Sequence, residues 1–152
     1  MAKAKTTIKK ITQNEWECTK IFKTGEIEKR IVNSRQEAME GEPVRRHVAD
    51  LVQKYKKPVY GLFVANKIDS NTAETFRMGV WYTTQDERLE LHIVPLTLTQ
   101  FSEYFKFIFT ENFAEPQKIV DLMCNCENYR KICEGPEWKK CINEVVQIMT
   151  KR

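Results

Sequence analysis

Four cysteines, Cys124, Cys126, Cys133 and Cys141, are the side chains of this 152-residue chain that most directly suggest chemistry, because four thiolates can close a tetrahedral zinc site. Their spacing is C-x-C followed by gaps of six and seven residues, whereas structural zinc sites pair C-x2-4-C knuckles. Cys124, Cys126 and Cys141 also fall inside expected helices. Zinc is therefore an unlikely cofactor, and free, half-buried thiols are the expectation. The total of five cysteines is odd and MAKAKTTIKK carries no apolar leader, which fits reduced thiols in a cytoplasmic protein. No apolar run approaches the roughly 20 residues of a membrane span, so no membrane partner is expected. Of the two histidines, His47 falls beside Val44, Val48 and Leu51 at helical spacing and is expected to be partly buried. His92 sits in an apolar strand-like run and reads as a packed histidine with one hydrogen-bonded nitrogen, not as a metal ligand.

Charge is the second feature with chemical content. Residues 1–35 hold nine Lys or Arg against four Glu, so the basic excess, Lys9, Lys10 and Arg35 included, sits entirely at the N-terminal end. A cluster of this kind steers toward a polyanion, because each phosphate neutralised by Lys or Arg releases condensed counterions. The alternative is a solvated segment that only aids solubility. Arg45 and Arg46 stand in the first turn of an expected helix, where cations oppose the helix dipole. Placed against that cost, they are candidates for phosphate contact.

These residues need elements to position them. Residues 1–14 read as a basic arm or a lead-in to the first strand. Trp16 to Phe22 and Ile27 to Val32 flank Lys23-Thr24-Gly25-Glu26, a hairpin pattern. Pro43 opens a helix through Lys56, with Val44, Val48, Leu51, Val52 and Tyr55 on its stripe. Val59 to Ala65 is a continuous apolar run, the mark of a strand covered on both faces. Ser70 or Asn71 caps a helix toward Met78, and Leu89 to Leu96 reads as another buried strand. Thr97 and Gln100 match a capping box before a helix to about residue 111. Its aromatic series Phe101, Tyr104, Phe105, Phe107, Phe109 and Phe113 is too wide for one buried stripe and suggests an interface. Pro116 starts a further helix, Gly135-Pro136 breaks the chain, and Glu137 to Met149 forms the last one. The pattern is an α/β architecture: a basic arm at 1–14, an α/β core at 15–113 and a helical extension at 114–152.

The stretches RQEAMEGEPVRRHVADLVQKY, KPVYGLFVANKIDSNTAETF and LHIVPLTLTQF, in that order, resemble the cleavage domain of AlwI-family type II restriction endonucleases. The likeness runs from about Arg35 to Phe109. It implies a restriction-endonuclease-like PD-(D/E)xK core, a mixed sheet flanked by helices, and Mg2+-dependent hydrolysis of double-stranded DNA. In such sites oxygen ligands suit Mg2+, which polarises the phosphoryl group and lowers the pKa of the attacking water. On that resemblance Glu15 or Glu17 supplies the first metal ligand and Glu28 the second. Arg30 or Gln36 assists the water, and Lys9, Lys10, Arg35, Arg45 and Arg46 meet the DNA. The chain departs from the family pattern in two respects. No aspartate precedes Asp50, so the family's Pro-Asp has no counterpart, and Arg30 stands where a lysine or hydroxyl residue is usual. Two readings stay open: a site-specific deoxyribonuclease with a substituted site, or a nuclease-derived module that binds DNA or a partner without cutting. Either would work with a recognition subunit, a recognition domain or a second copy.

Overall fold

The hairpin expected in residues 16–32 has its strands at β2, Glu15–Ile21, and β3, Ile27–Asn33, in antiparallel register with Ile21 across from Ile27. A further strand, β1 (Lys5–Lys10), pairs antiparallel with β2, so these six residues of the expected basic arm belong to a three-stranded ribbon. The structure is a computed structural model that describes residues 5–10, 15–21, 27–33, 36, 40–111 and 115–151. Two units divide the chain, Met1–Arg35 with the ribbon and Gln36–Arg152 with the remaining elements.

The second unit begins with helix α1 (Glu42–Tyr55), which carries Pro43 in its first turn, where a missing N–H breaks no bond. Val48 and Ala49 are buried, and Val44 and Val52 pack beside them. His47 is exposed, contrary to expectation: one residue from Val48 turns about 100° around the helix, which carries it to the rim of the buried arc. Tyr55 lies on the same stripe as Val48 but is 56 % exposed, standing at the last residue of the helix. Strand β4 (Tyr60–Ala65) follows, with only Phe63 fully buried, while Tyr60 and Val64 are exposed. The run expected to be covered on both faces is therefore half covered: Tyr60 and Val64 alternate onto the face opposite Phe63.

Helix α2 (Ser70–Met78) ends at Gly79, whose φ of 57° lets its N–H reach Thr75 O at 3.1 Å. A Cβ at this position would lie within 2.4 Å of both Arg130 Nη2 and Leu91 O, so glycine is required here on two grounds. The expected strand over Leu89–Leu96 is two strands. Its first part, β6 (Arg88–Glu90), pairs with β5 (Val80–Tyr82), and its second part, β7 (His92–Thr97), runs parallel to β4. Leu91 separates them by turning its N–H to Gly79 O at 2.7 Å. Three small sheets thus stand among the described residues, where the family resemblance implied a mixed sheet.

Helix α3 (Leu98–Thr110) starts with the expected reciprocal cap between Thr97 and Gln100. Helices α4 (Pro116–Arg130) and α5 (Gly135–Thr150) complete the unit. Gly135 and Pro136 do not break the chain but open α5, since proline is tolerated in a first turn and Glu134 caps it with Glu137. The extension is integral to the core: Leu122, Met123, Cys126, Trp138, Ile142, Val145 and Val146 are buried with Phe76, Ile93, Val94 and Leu96. Trp138 is wholly buried, and its Nε1–H donates to Cys126 O at 2.9 Å, satisfying its one polar atom. The start of α5 is pressed on α2, where Gly135 N donates to Glu74 Oε2 at 2.6 Å. Arg77 also binds Glu74, and its hydrogen bonds hold that carboxyl below its ordinary value against the opposing effect of burial.

Candidate functional site

Strand side chains alternate between faces, so register decides which of the ribbon's charged residues share a face. Glu17 stands across from Ile31 and Glu28 across from Lys20. Glu15, Glu17 and Lys29 accordingly belong to one face, and Glu28, Arg30 and Lys20 to the other. Glu28 and Arg30, two residues apart, share a face. The acidic residues considered together as metal ligands are divided between the two. In β1, Lys9 lies across from Glu17 and Lys10 across from Trp16. Arg35 lies outside the described residues.

Gln36 is placed with the second unit and has both ends of its amide engaged. Its Nε2 donates to Lys67 O at 2.5 Å, and its Oε1 accepts from Asp69 N at 2.8 Å. The side chain thus clamps the turn between β4 and α2. Arg45 is half-buried, with Nη2 donating to Val80 O at 2.7 Å and the guanidinium lying 5.4 Å from the Trp81 ring centroid, so it ties α1 to β5. Arg46 is exposed and pairs with Glu42 one helical turn back at 3.5 Å. His47 lines a groove with Val44, Leu51 and Tyr60, between α1 and β4.

A polar cluster that the sequence did not suggest lies where α2 and α4 end. Arg130 is 3 % exposed, and its Nε donates to Arg77 O at 2.6 Å while Arg77 Nη1 donates to Arg130 O at 3.3 Å. Each arginine satisfies a carbonyl in the last turn of the other's helix, where acceptors lack partners within the helix. Arg130 also reaches Glu127 at 2.7 Å and Glu90 at 3.2 Å. His92 Nδ1 stands 3.0 Å from Glu127 Oε2, and its ring lies 5.1 Å from that of Tyr60. His92 is therefore packed and held through one nitrogen, as its setting in the sequence suggested.

Among the cysteines Cys124 is exposed, Cys126 buried, and Cys133 and Cys141 half-buried. Burial pushes the Cys126 thiol up to about 12. Cys133 is raised to about 11, first by burial and then by neighbouring Cys141, and its Sγ–H donates to Tyr129 O. Among the described residues no three His, Cys, Asp or Glu side chains gather in a way that could hold a metal ion. Of the aromatic series on α3, Tyr104 is buried, Phe101 and Phe105 stack, and Phe109 is 64 % exposed, while Phe113 lies outside the described residues. No helix among the described residues is long and apolar enough to cross a membrane.

A family model described as AlwI restriction endonuclease matches residues 29–104. The chain belongs to the AlwI restriction endonuclease family. Its AlwI-family span opens within β3 and closes within α3, so Arg30, Arg35, Gln36, Arg45 and Arg46 fall inside it. Lys9, Lys10, Glu15, Glu17 and Glu28 precede the AlwI-family span, and α4 and α5 follow it. Comparisons with curated proteins and with solved structures found no match.

Two residues that the sequence reading passed over, Lys67 inside the AlwI-family span and Lys139 beyond it, line a groove with Ile68, Pro95, Thr97 and Gln100. A sequence signal for the first exists: Lys67 falls between an apolar strand and the next helix, and ligand crevices in α/β folds form at the carboxyl ends of parallel strands. Lys139 lies far along the chain, and no local pattern connects it to this place.

Proposed function

We propose that this chain is a metal-dependent endonuclease that hydrolyses phosphodiester bonds of double-stranded DNA, acting as the cleavage domain or small subunit of a type II restriction system. The observation that carries this reading is the match of the AlwI restriction endonuclease family to residues 29–104. Mg2+, when bound, polarises the phosphoryl oxygen and lowers the pKa of the attacking water. Glu28 is the residue proposed to hold it. Mg2+ is commonly bound by one or two carboxylates together with substrate phosphates, a demand that Glu28 can meet from its own face of the ribbon. Glu15 and Glu17, on the other face, are the weaker candidates for a second ligand.

Arg30 shares the face of Glu28 and is proposed to stabilise negative charge on the phosphate. It is always protonated, so it does not take the proton of the attacking water. Gln36, with its amide engaged on both sides, acts on this reading by holding the Lys67–Asp69 turn. Sequence specificity is assigned to a recognition subunit, a recognition domain or a second copy.

The second reading, a nuclease-derived module that binds DNA or a partner without cutting, draws support from the division of Glu15, Glu17 and Glu28 between two faces. Cleavage of duplex DNA in Mg2+ and in Mn2+, with an EDTA control, separates the two. The expected result is metal-dependent cutting that falls by about 100-fold or more in Glu28→Ala, the scale of losing one charge-stabilising group, and persists in Glu17→Ala. DNA binding without cutting by the unmodified protein selects the module.

A further inference from the structure

We propose that the groove lined by Lys67 and Lys139 is a docking site for a phosphate of the DNA backbone, an inference that rests on the DNA-directed reading above. Strands β4 and β7 are parallel and in register, with Ala65 beside Thr97, so both strands end at the same side of the unit. The chain passes from β4 through Lys67 and Ile68 to α2, and from β7 directly into α3. A cavity of about 240 Å³ lies between these two exits, lined by Lys67, Ile68, Pro95, Thr97, Gln100 and Lys139. Two ammonium groups and no carboxylate belong to this lining.

Lys139 reaches the cavity from α5. Its Nζ donates to Ile68 O at 2.9 Å and to Ser70 Oγ at 3.2 Å, which fixes the ammonium in place and leaves one of its three N–H donors for a ligand. Lys67 is exposed and makes no ion pair among the described residues. One lysine is thus pre-positioned and the other is free to close on a ligand. Gln36 holds the intervening turn through Lys67 O and Asp69 N. A phosphodiester carries one negative charge and needs donors but no acceptors, which is what two ammonium groups offer. The groove between α1 and the start of β4 is lined mainly by apolar groups and holds no lysine or arginine.

The test is duplex DNA binding by the full-length chain, followed by fluorescence anisotropy in EDTA over a series of salt concentrations. Lys67→Gln is expected to weaken binding to unrelated duplexes alike and to make the slope of log K against log salt shallower by about 1. Adding Lys139→Gln is expected to weaken binding further. Because Lys139 also holds Ile68 and Ser70, the double variant counts only with an unchanged melting temperature, and Lys67→Gln alone keeps the test decisive. Lys140→Gln, exposed on the same helix but outside the groove, is expected to change neither affinity nor slope. An unaltered slope in Lys67→Gln, or an equal change in Lys140→Gln, overturns the docking site and leaves the DNA-directed function standing. Failure of the unmodified chain to bind any duplex overturns that function, and the docking site with it.

Discussion

Arg130 is 3 % exposed, and each nitrogen of its guanidinium meets an acceptor: Nε donates to Arg77 O, Nη1 to Glu127 and Nη2 to Glu90. Such a group contributes little when intact, since desolvation offsets much of the attraction, but its removal leaves the half-buried Glu127 without its arginine partner and with only His92 beside it. Arg130→Met is therefore expected to destabilise the protein by about 3 kcal/mol, read from the midpoint of urea unfolding. Removing the carboxylate as well, in Arg130→Met with Glu127→Leu, is expected to recover part of that loss. Additive losses in the two variants would refute the coupling. Periodicity places Arg130 at the end of a helix, yet it does not show that residue 77 ends another helix against it.

The junction of α2 with α5 turns on Glu74, which accepts from Arg77 and from the N–H of Gly135. A Cβ at Gly135 would lie 2.9 Å from Glu74 N, so the helices approach backbone to backbone at this point. These bonds hold the Glu74 carboxyl below its ordinary value, and the sign of the pH dependence follows. Stabilisation by the ionised form is fully present above the unfolded value, near 4.5, and is lost as pH falls through the lower folded value. Glu74→Gln is expected to be less stable than the parent at pH 7, by under about 1 kcal/mol because the side chain is partly exposed. That difference should vanish as unfolding is repeated at decreasing pH below 4.5. A difference that persists undiminished in acid would assign the loss to packing.

Charge is unevenly distributed over the whole molecule. The first 35 residues carry a net +5 from nine basic and four acidic groups, and the remaining residues hold 16 basic against 17 acidic groups, or −1. Long-range attraction of a polyanion therefore belongs to the first unit, and any ordered contact in the second depends on local arrangement. Lys9→Gln with Lys10→Gln is expected to reduce the salt slope of duplex binding by up to about 2, one for each phosphate that is no longer neutralised. An unchanged slope would place the DNA-binding surface outside β1.

Local signals determined much of the fold. Pro43, the Thr97–Gln100 cap and Pro116 announce their helices because the groups involved are only a few residues apart. The family resemblance was legible for the same reason, as contiguous blocks of sequence. Tertiary structure decided what depends on distant partners. Leu91 interrupts an apolar run because Gly79 O accepts its N–H, and Gly135 can begin α5 because Glu74 lies against it. Within the candidate site, the alternation of Glu28 and Arg30 onto one face could be read from the chain. The placement of Glu15 and Glu17 on the other face required the pairing register, since alternation within one strand says nothing of its offset against the next. The Lys67 and Lys139 groove is the extreme case: a strand exit and a helix meet there only through the packing of α5 on α2, an interaction no local pattern encodes.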